Sequence, residues 1–243
     1  MNLLDVLRSA PSFTERLAAA KAAMPDVRWY PYNTIMLVPN MLALIGDLVI
    51  PANAVLDVGA ADGDLTFLFS EAGASVHALE HEATNFNDGE GLRRLNDKFG
   101  AKVTLSFGDL DFGFSLPRQY DLCLALGLAY HLRNIPLLYI TLAQHCQFMI
   151  TNTRVLDITP AGTDIASQPL AYFIERRELG NDPTNFWLVS PAGYRRILKR
   201  CGWKVLREHN AGEAIGTVEA DKRMWAVCER VPNHADLKLH HDF

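Results

Sequence analysis

The sequence has only four cysteines, with no C-x-x-C pair among them, and no apolar run approaching the roughly 20 residues that a membrane-spanning helix needs. Cys123, Cys146, Cys201 and Cys228 lie far apart in apolar settings, so they read as reduced core residues; neither a disulfide framework nor a metal site is expected. Internal repeats and low-complexity segments are absent, which excludes a solenoid or a disordered chain. An excess of basic residues is also missing: 23 Lys and Arg face 28 Asp and Glu, a formal charge of -5. That balance argues against a broad electrostatic footprint on nucleic acid and leaves only RRILKR, residues 195–200, as a local basic patch. The start of the chain carries an early acid, Asp5, and no charged head followed by an apolar run, so it does not read as a secretory signal. A cytoplasmic location without membrane contact is the expectation.

What is present is the composition of an ordinary globular chain: 243 residues, 49% hydrophobic and 21% charged, enough for one full core. Residues 2–24 carry apolar positions at helical spacing, interrupted at Pro11, with Ser12 or Thr14 placed to cap the second helix. Residues 25–40, PDVRWYPYNTIMLVPN, hold three prolines and look too broken for regular structure. They form either a linker whose aromatics pack on the main domain or a lid over a pocket, and Trp29 and Tyr30 are then candidates for substrate contact. Residues 1–48 are therefore expected to be a helical and aromatic lid segment.

From residue 53 the pattern alternates: AVLDVG, DLTFLFSEA, SVHALE, GEGLRRLNDKF, KVTLSF, YDLCLALG, PLLYITLAQHC and QFMITNT. Short apolar strands separated by helices imply an α/β fold with a mostly parallel sheet covered on both faces. The main domain is expected over 49–231, with an insertion at 154–189 where the alternation stops. It resumes with a helix opened by Ser190-Pro191 and ended by Gly202, followed by two strands, WKVLREH and RMWAVCER. The tail, 232–243, is polar, and His234, His240 and His241 read as solvated rather than metal-binding.

In VLDVGAADGD the apolar run makes a strand, and Gly59 and Gly63 flank a turn where backbone must approach a ligand. An alanine, Ala61, sits where a dinucleotide fingerprint has glycine. Acids beside a pyrophosphate would repel it, and this turn carries Asp57, Asp62 and Asp64. A ligand with a cationic or hydroxyl-rich part fits that charge better. About twenty residues after Gly59 the second strand ends in Glu80, where a carboxylate accepts hydrogen bonds from ribose hydroxyls in nucleotide-binding α/β folds. Near the end of the third strand, Gly108, Asp109 and Leu110 could meet an adenine edge.

VLDVGAADGD, HALEHE, SFGDLD and YDLCLALGLAYHL together resemble the successive motifs of class I S-adenosylmethionine-dependent methyltransferases. The resemblance spans roughly residues 50–230. It implies a Rossmann-like, doubly wound, seven-stranded sheet with the last strand antiparallel and S-adenosyl-L-methionine as cofactor. Carried over by position, it implies that Asp57, Gly59, Ala60, Ala61 and Gly63 hold the methionine part. Glu80 and His81 would hold the ribose, Gly108, Asp109 and Leu110 the adenine, and Leu126 and Gly127 would complete the site. GLAYHLRNIPLLYI and NFWLVSPAGYRRILKRCGW resemble the branch that includes the tRNA wobble-uridine carboxymethyltransferase.

Methyl transfer from a sulfonium is an in-line displacement, for which the protein positions the reactants and, where the acceptor is protonated, supplies a base. Tyr130 and His131 follow the fourth strand, and His131 either takes that proton or only lines the wall. In the insertion, Tyr172, Glu175, Arg176, Asn185 and Trp187 combine aromatic faces with charges suited to a sugar or nucleobase, or else close a surface network over the core. A carboxymethyl donor would need a cation, for which Arg28, Arg133 and Arg154 are the candidates. The net negative charge favours ordinary methyl transfer to a small-molecule or glycan-linked acceptor over tRNA. An NAD-dependent oxidoreductase, disfavoured by the acidic turn, and a catalytically inactive nucleoside-binding module are the alternatives.

Overall fold

The computed structural model describes residues 1–212, 217–219 and 221–234, so His240, His241 and most of the expected polar tail lie outside the described residues. In chain order the elements are α1 (Leu3–Arg8), α2 (Ala10–Ala22), α3 (Val38–Ile45), β1 (Ala54–Val58), α4 (Asp64–Glu71), β2 (Ser75–Glu80), α5 (Glu90–Phe99), β3 (Val103–Phe107) and β4 (Tyr120–Leu126). They continue with α6 (Ile135–His145), β5 (Cys146–Arg154), β6 (Ala171–Phe173), β7 (Trp187–Val189), α7 (Pro191–Arg200), β8 (Trp203–Ala211) and β9 (Arg223–Arg230).

Seven strands form one sheet in the order β3-β2-β1-β4-β5-β9-β8, and β6 pairs with β7 in a separate two-stranded sheet. β2 runs parallel to both β1 and β3, whereas β9 runs antiparallel to β5 and to β8. This is the expected Rossmann-like arrangement with the last strand antiparallel, WKVLREH and RMWAVCER pairing as its hairpin-like end. Within it the chain divides into two compact units, residues 1–109 with 118–124, and residues 110–117 with 125–243.

In the first unit, Val55, Leu56, Val58, Val76, Ala78 and Leu79 are all buried, the near-continuous apolar pattern of parallel strands covered on both faces. The break between α1 and α2 falls at Ser9 rather than at Pro11, because Pro11 occupies the first turn of α2, where a missing N–H goes unmissed. Neither Ser12 nor Thr14 caps that helix: their hydroxyls donate to the carbonyls of Ser9 and Ala10. Residues 25–40 also depart from expectation. A 3-10 turn over Thr34–Leu37, capped by Asn33, runs into α3, whose first turn accommodates Pro39. Pro11 and Pro39 had read as breaks, although each lies in the first turn of a helix.

In the second unit, Ser190 Oγ accepts from Gly193 N and opens α7 as its Ser-Pro pair implied. The stretch between β5 and α7 is not open loop: Leu156, Ile165, Ile174, Leu179, Leu188 and Val218 make a small apolar core of its own, with Tyr172 packed on it. All four cysteines are free and buried, and burial pushes the Cys228 thiol well above its ordinary value. No described helix is long and apolar enough to cross a membrane. Among the described residues no cluster of His, Cys, Asp and Glu could hold a metal ion.

Candidate functional site

The strand order reverses between β1 and β4, and in open α/β sheets ligands bind outside the carboxyl ends of strands at such a switch point. The turn leaving β1 is built from left-handed backbone: Gly59 at φ 72°, Ala61 at 54° and Gly63 at 82°. For an alanine this conformation costs about 1 kcal/mol. Its use is visible in the next bond, because it aims Ala61 N at Glu80 Oε2, 2.6 Å away. The other oxygen, Oε1, accepts from His81 N at 2.9 Å. Glu80 is only 8% exposed, and burial pushes its carboxyl up to about 7, against the pull of those two amides and of the Asn85 side chain, with the nearby Asp57 charge adding to the rise. Each oxygen keeps a lone pair for a further donor.

Asp57 is buried at the end of β1, and its Oδ2 accepts from Thr66 Oγ1 at 2.5 Å. Burial raises its carboxyl to about 6, the Thr66 hydroxyl opposing. Gly108 N bonds Glu80 O at 2.9 Å, which brings the ends of β2 and β3 together. His81 turns aside: Nδ1 meets Thr84 Oγ1 at 2.8 Å, and Nε2 lies 3.9 Å from Asp109 Oδ2. Thus Asp57, Gly59, Ala60, Ala61, Gly63, Glu80, His81, Gly108 and Asp109 all belong to the first unit, whereas Leu110, Leu126 and Gly127 belong to the second.

Gly63 caps α4, and a Cβ there would lie 2.5 Å from Leu92 Cδ1 and 2.6 Å from Phe67 Cε2. Gly63→Ala is expected to lose roughly 2–4 kcal/mol from left-handed strain plus overpacking. The check is urea unfolding, which should show a lower midpoint at unchanged slope; an unchanged midpoint would refute the tight contact.

The three aspartates of the turn do not act together. Lys21 Nζ lies 2.7 Å from Asp64 Oδ1 and 3.5 Å from Asp62 Oδ2. Tyr30 N donates to Asp62 Oδ2 at 2.8 Å, Asn87 Nδ2 to Asp62 Oδ1 at 2.8 Å, and Thr34 N to Asp64 Oδ2 at 3.0 Å. Asp62 and Asp64 are thereby used to hold residues 21–34, and only Asp57 and Glu80 remain for a ligand at this turn. Of the lid aromatics, Trp29 lies under Lys21, with Nζ 5.1 Å from a ring centroid. The Tyr30 hydroxyl accepts from Phe86 N at 3.0 Å, and burial pushes its phenol upward.

In the second unit, Tyr130 and His131 sit on a 3-10 turn, Ala129–His131, just after β4. His131 Nδ1 lies 2.9 Å from Thr184 Oγ1, and Thr184 Oγ1 donates to Asp182 Oδ1 at 2.7 Å. A hydroxyl has one proton; with that proton on Asp182, Thr184 accepts from His131, so the imidazole carries its proton on Nδ1 and leaves Nε2 as a base. Burial holds His131 well below the ordinary imidazole value; Asp182 opposes, and the Arg223 and Arg154 charges reinforce the shift. Both guanidinium groups lie within 6 Å of the Tyr130 ring centroid, Arg223 at 5.8 Å and Arg154 at 5.9 Å. Gly127, at φ 68°, donates its amide to Asn152 Oδ1 at 2.8 Å.

The insertion residues are spread among different tasks. Tyr172 donates to Glu178 Oε1 at 2.8 Å, and Asn185 is buried with its amide on Leu179 O at 2.9 Å. Trp187 stacks obliquely on Phe173, centroids 4.7 Å apart, while Glu175 and Arg176 are exposed. Lys21, Thr66, Asn152, Asp182, Thr184 and Arg223 were not singled out from sequence. Only Lys21 left a trace there, in two aspartates that needed a cation.

No protein-family model matches the chain, and a search of curated proteins gives no match. Solved structures do share its fold. The N-terminal domain of EvdMO1, in the presence of SAH and D-fucose, is 19% identical with a TM-score of 0.56, covering 90% of this chain and 96% of that one. The glycopeptide N-methyltransferase MtfA complexed with sinefungin is 16% identical with a TM-score of 0.52, covering 75% and 82%. An S-adenosylmethionine-dependent methyltransferase from Clostridium acetobutylicum is 12% identical, also at 0.52, covering 75% and 85%.

Proposed function

We propose that the protein is an S-adenosylmethionine-dependent methyltransferase that acts in the cytoplasm on a small-molecule or glycan-linked acceptor. The observation that carries this reading is the buried Glu80 carboxylate at the end of β2, held by the Ala61 amide of the first turn with a lone pair left on each oxygen. Two hydroxyls of a ribose match those lone pairs. The structures that share the fold and hold SAH or sinefungin support the same reading.

The residues fit the cofactor, although fewer acids face it than the turn's composition suggested. Asp57 would accept from the ammonium of the methionine part, Glu80 from the ribose, and the Gly108-Asp109-Leu110 backbone would border the adenine. Gly59 and Ala61 supply close backbone, with Ala60, Gly63, His81, Leu126 and Gly127 around them. When bound, the donor supplies an electrophilic methyl group on a sulfonium. The chain's own part is to bring the acceptor into line, with His131 Nε2 taking the acceptor's proton and Tyr130 beside it. Residues 49–231 would form the catalytic domain, 154–189 its specificity-bearing insertion with Tyr172, Glu175, Arg176, Asn185 and Trp187, and 1–48 the cover that includes Trp29 and Tyr30. A tRNA acceptor, as in the wobble-uridine branch, fits the charge of -5 less well.

A thermal-shift experiment tests the reading. SAH at about 100 times its dissociation constant should stabilise the protein by about 2.7 kcal/mol through mass action, and NAD should not. Stabilisation by NAD with no response to SAH would replace the proposal with the oxidoreductase reading.

A further inference from the structure

Around the carboxyl end of β4 the second unit gathers several hydrogen-bond donors. Arg154 and Arg223 share one carboxylate: Asp221 Oδ1 lies 3.3 Å from Arg154 Nε and 2.9 Å from Arg223 Nε. The neighbouring acids are engaged elsewhere, Asp157 by Lys222 and Asp182 by Thr184. Among the described residues, Arg154 Nη1 and Asn152 Nδ2 in this corner are buried donors without a hydrogen-bond partner. Asn152 is fully enclosed, its Oδ1 already committed to Gly127 N.

Gly127 lies close against this cluster. A Cβ there would lie 3.3 Å from Arg223 Nη1 and 3.9 Å from both Asn152 Oδ1 and the Tyr130 hydroxyl. A guanidinium, an amide and a phenol thus converge on the Gly127 backbone, where any larger residue would press on Arg223. Planar guanidinium forks and an amide donor suit an oxyanion, which can accept from several of them at once. Arg154 has a fifth of its side chain exposed.

We infer that the methyl acceptor carries an oxyanionic group, a carboxylate or a phosphate, held by Arg154 and Arg223 with Asn152 Nδ2 beside Gly127. The inference rests on the methyltransferase reading and assigns this corner to the acceptor because the same arginines flank Tyr130 and His131. Gripping the charged group there would fix the nucleophile's approach to His131.

The test uses the full chain saturated with SAH, titrated with sodium acetate and with inorganic phosphate at constant ionic strength and followed by calorimetry. Saturable binding of at least one anion is expected. Asn152→Asp keeps the oxygen that accepts from Gly127 N and places a second oxygen where the donor was, so it should weaken anion binding tenfold or more while SAH affinity changes less than twofold. Arg154→Met should weaken it similarly. Absence of saturable anion binding, or an Asn152→Asp protein that binds as well as wild type, overturns the inference. So does anion binding that occurs only without SAH, since the arginines would then serve the donor's own carboxylate. If SAH fails to bind while acetate binds and Asn152→Asp abolishes it, the methyltransferase reading falls and the oxyanion site stands.

Discussion

Glu80→Gln is expected to gain stability over the wild type, without ligand, by about 2.5 kcal/mol more at pH 8 than at pH 5. The glutamate is pushed up to about 7 from an ordinary 4.5 by burial. Below 4.5 it is protonated in both folded and unfolded chains. Between 4.5 and 7 the unfolded chain has released the proton while the folded one keeps it, so wild-type stability falls as pH rises, by about 1.4 kcal/mol per pH step. Above 7 both forms are ionised and the penalty is complete. Glutamine has no such titration, so the difference between the two proteins isolates this residue from the histidines that titrate in the same range. Denaturant unfolding of both at pH 5, 6, 7 and 8 measures it; parallel curves would refute a buried carboxylate. The same linkage predicts that SAH binds wild type more tightly at pH 8 than at pH 5.5, because ribose hydroxyls donate best to the ionised form. Glu80→Ala should weaken SAH by roughly 1–3 kcal/mol at pH 8.

His131→Ala is expected to lower kcat by about 10²–10⁴, the range for removal of a general base, while SAH affinity stays the same. Burial and two guanidinium groups keep the wild-type imidazole neutral, so the wild-type rate should show no ionisation of this base between pH 6 and 8. Thr184→Val deletes the hydroxyl that receives the Nδ1 proton and should reduce kcat with little change in KM, since it alters the ring's orientation and not a substrate contact. Single-turnover rates with a labelled donor check both variants. Weakened SAH binding in His131→Ala would instead make His131 a wall of the donor pocket.

The parts of the site legible in the sequence are those written within a few residues or at a fixed spacing. Gly59, Gly63 and Glu80 sit at the ends of strands whose apolar runs announce themselves, and Ser190-Pro191 marks a helix start by local chemistry alone. The partners of these residues come from distant chain segments and left no local sign. Thr184 and Asp182 reach His131 across about fifty residues, and Arg223 meets Tyr130 only because β9 runs back beside β5. Pro39 misled in the opposite way. Read as a breaker, it lies in the first turn of α3, where its missing N–H has no intrahelical acceptor to lose. The acidic turn was seen correctly as unusual, but composition does not say which charge is spent internally; Lys21 answers two of the three.

That clamp has a consequence for ligand entry. Loops around small ligands are often ordered by the ligand itself, and the entropy lost then weakens binding. Here Lys21 and the amides of Tyr30 and Thr34 immobilise the turn after β1 from outside. The backbone that would meet the nucleoside is therefore preorganised, and the first thirty-odd residues serve as its splint. A chain shortened past Thr34 would leave two buried carboxylates without counter-charge and a turn that must be ordered anew at every binding event.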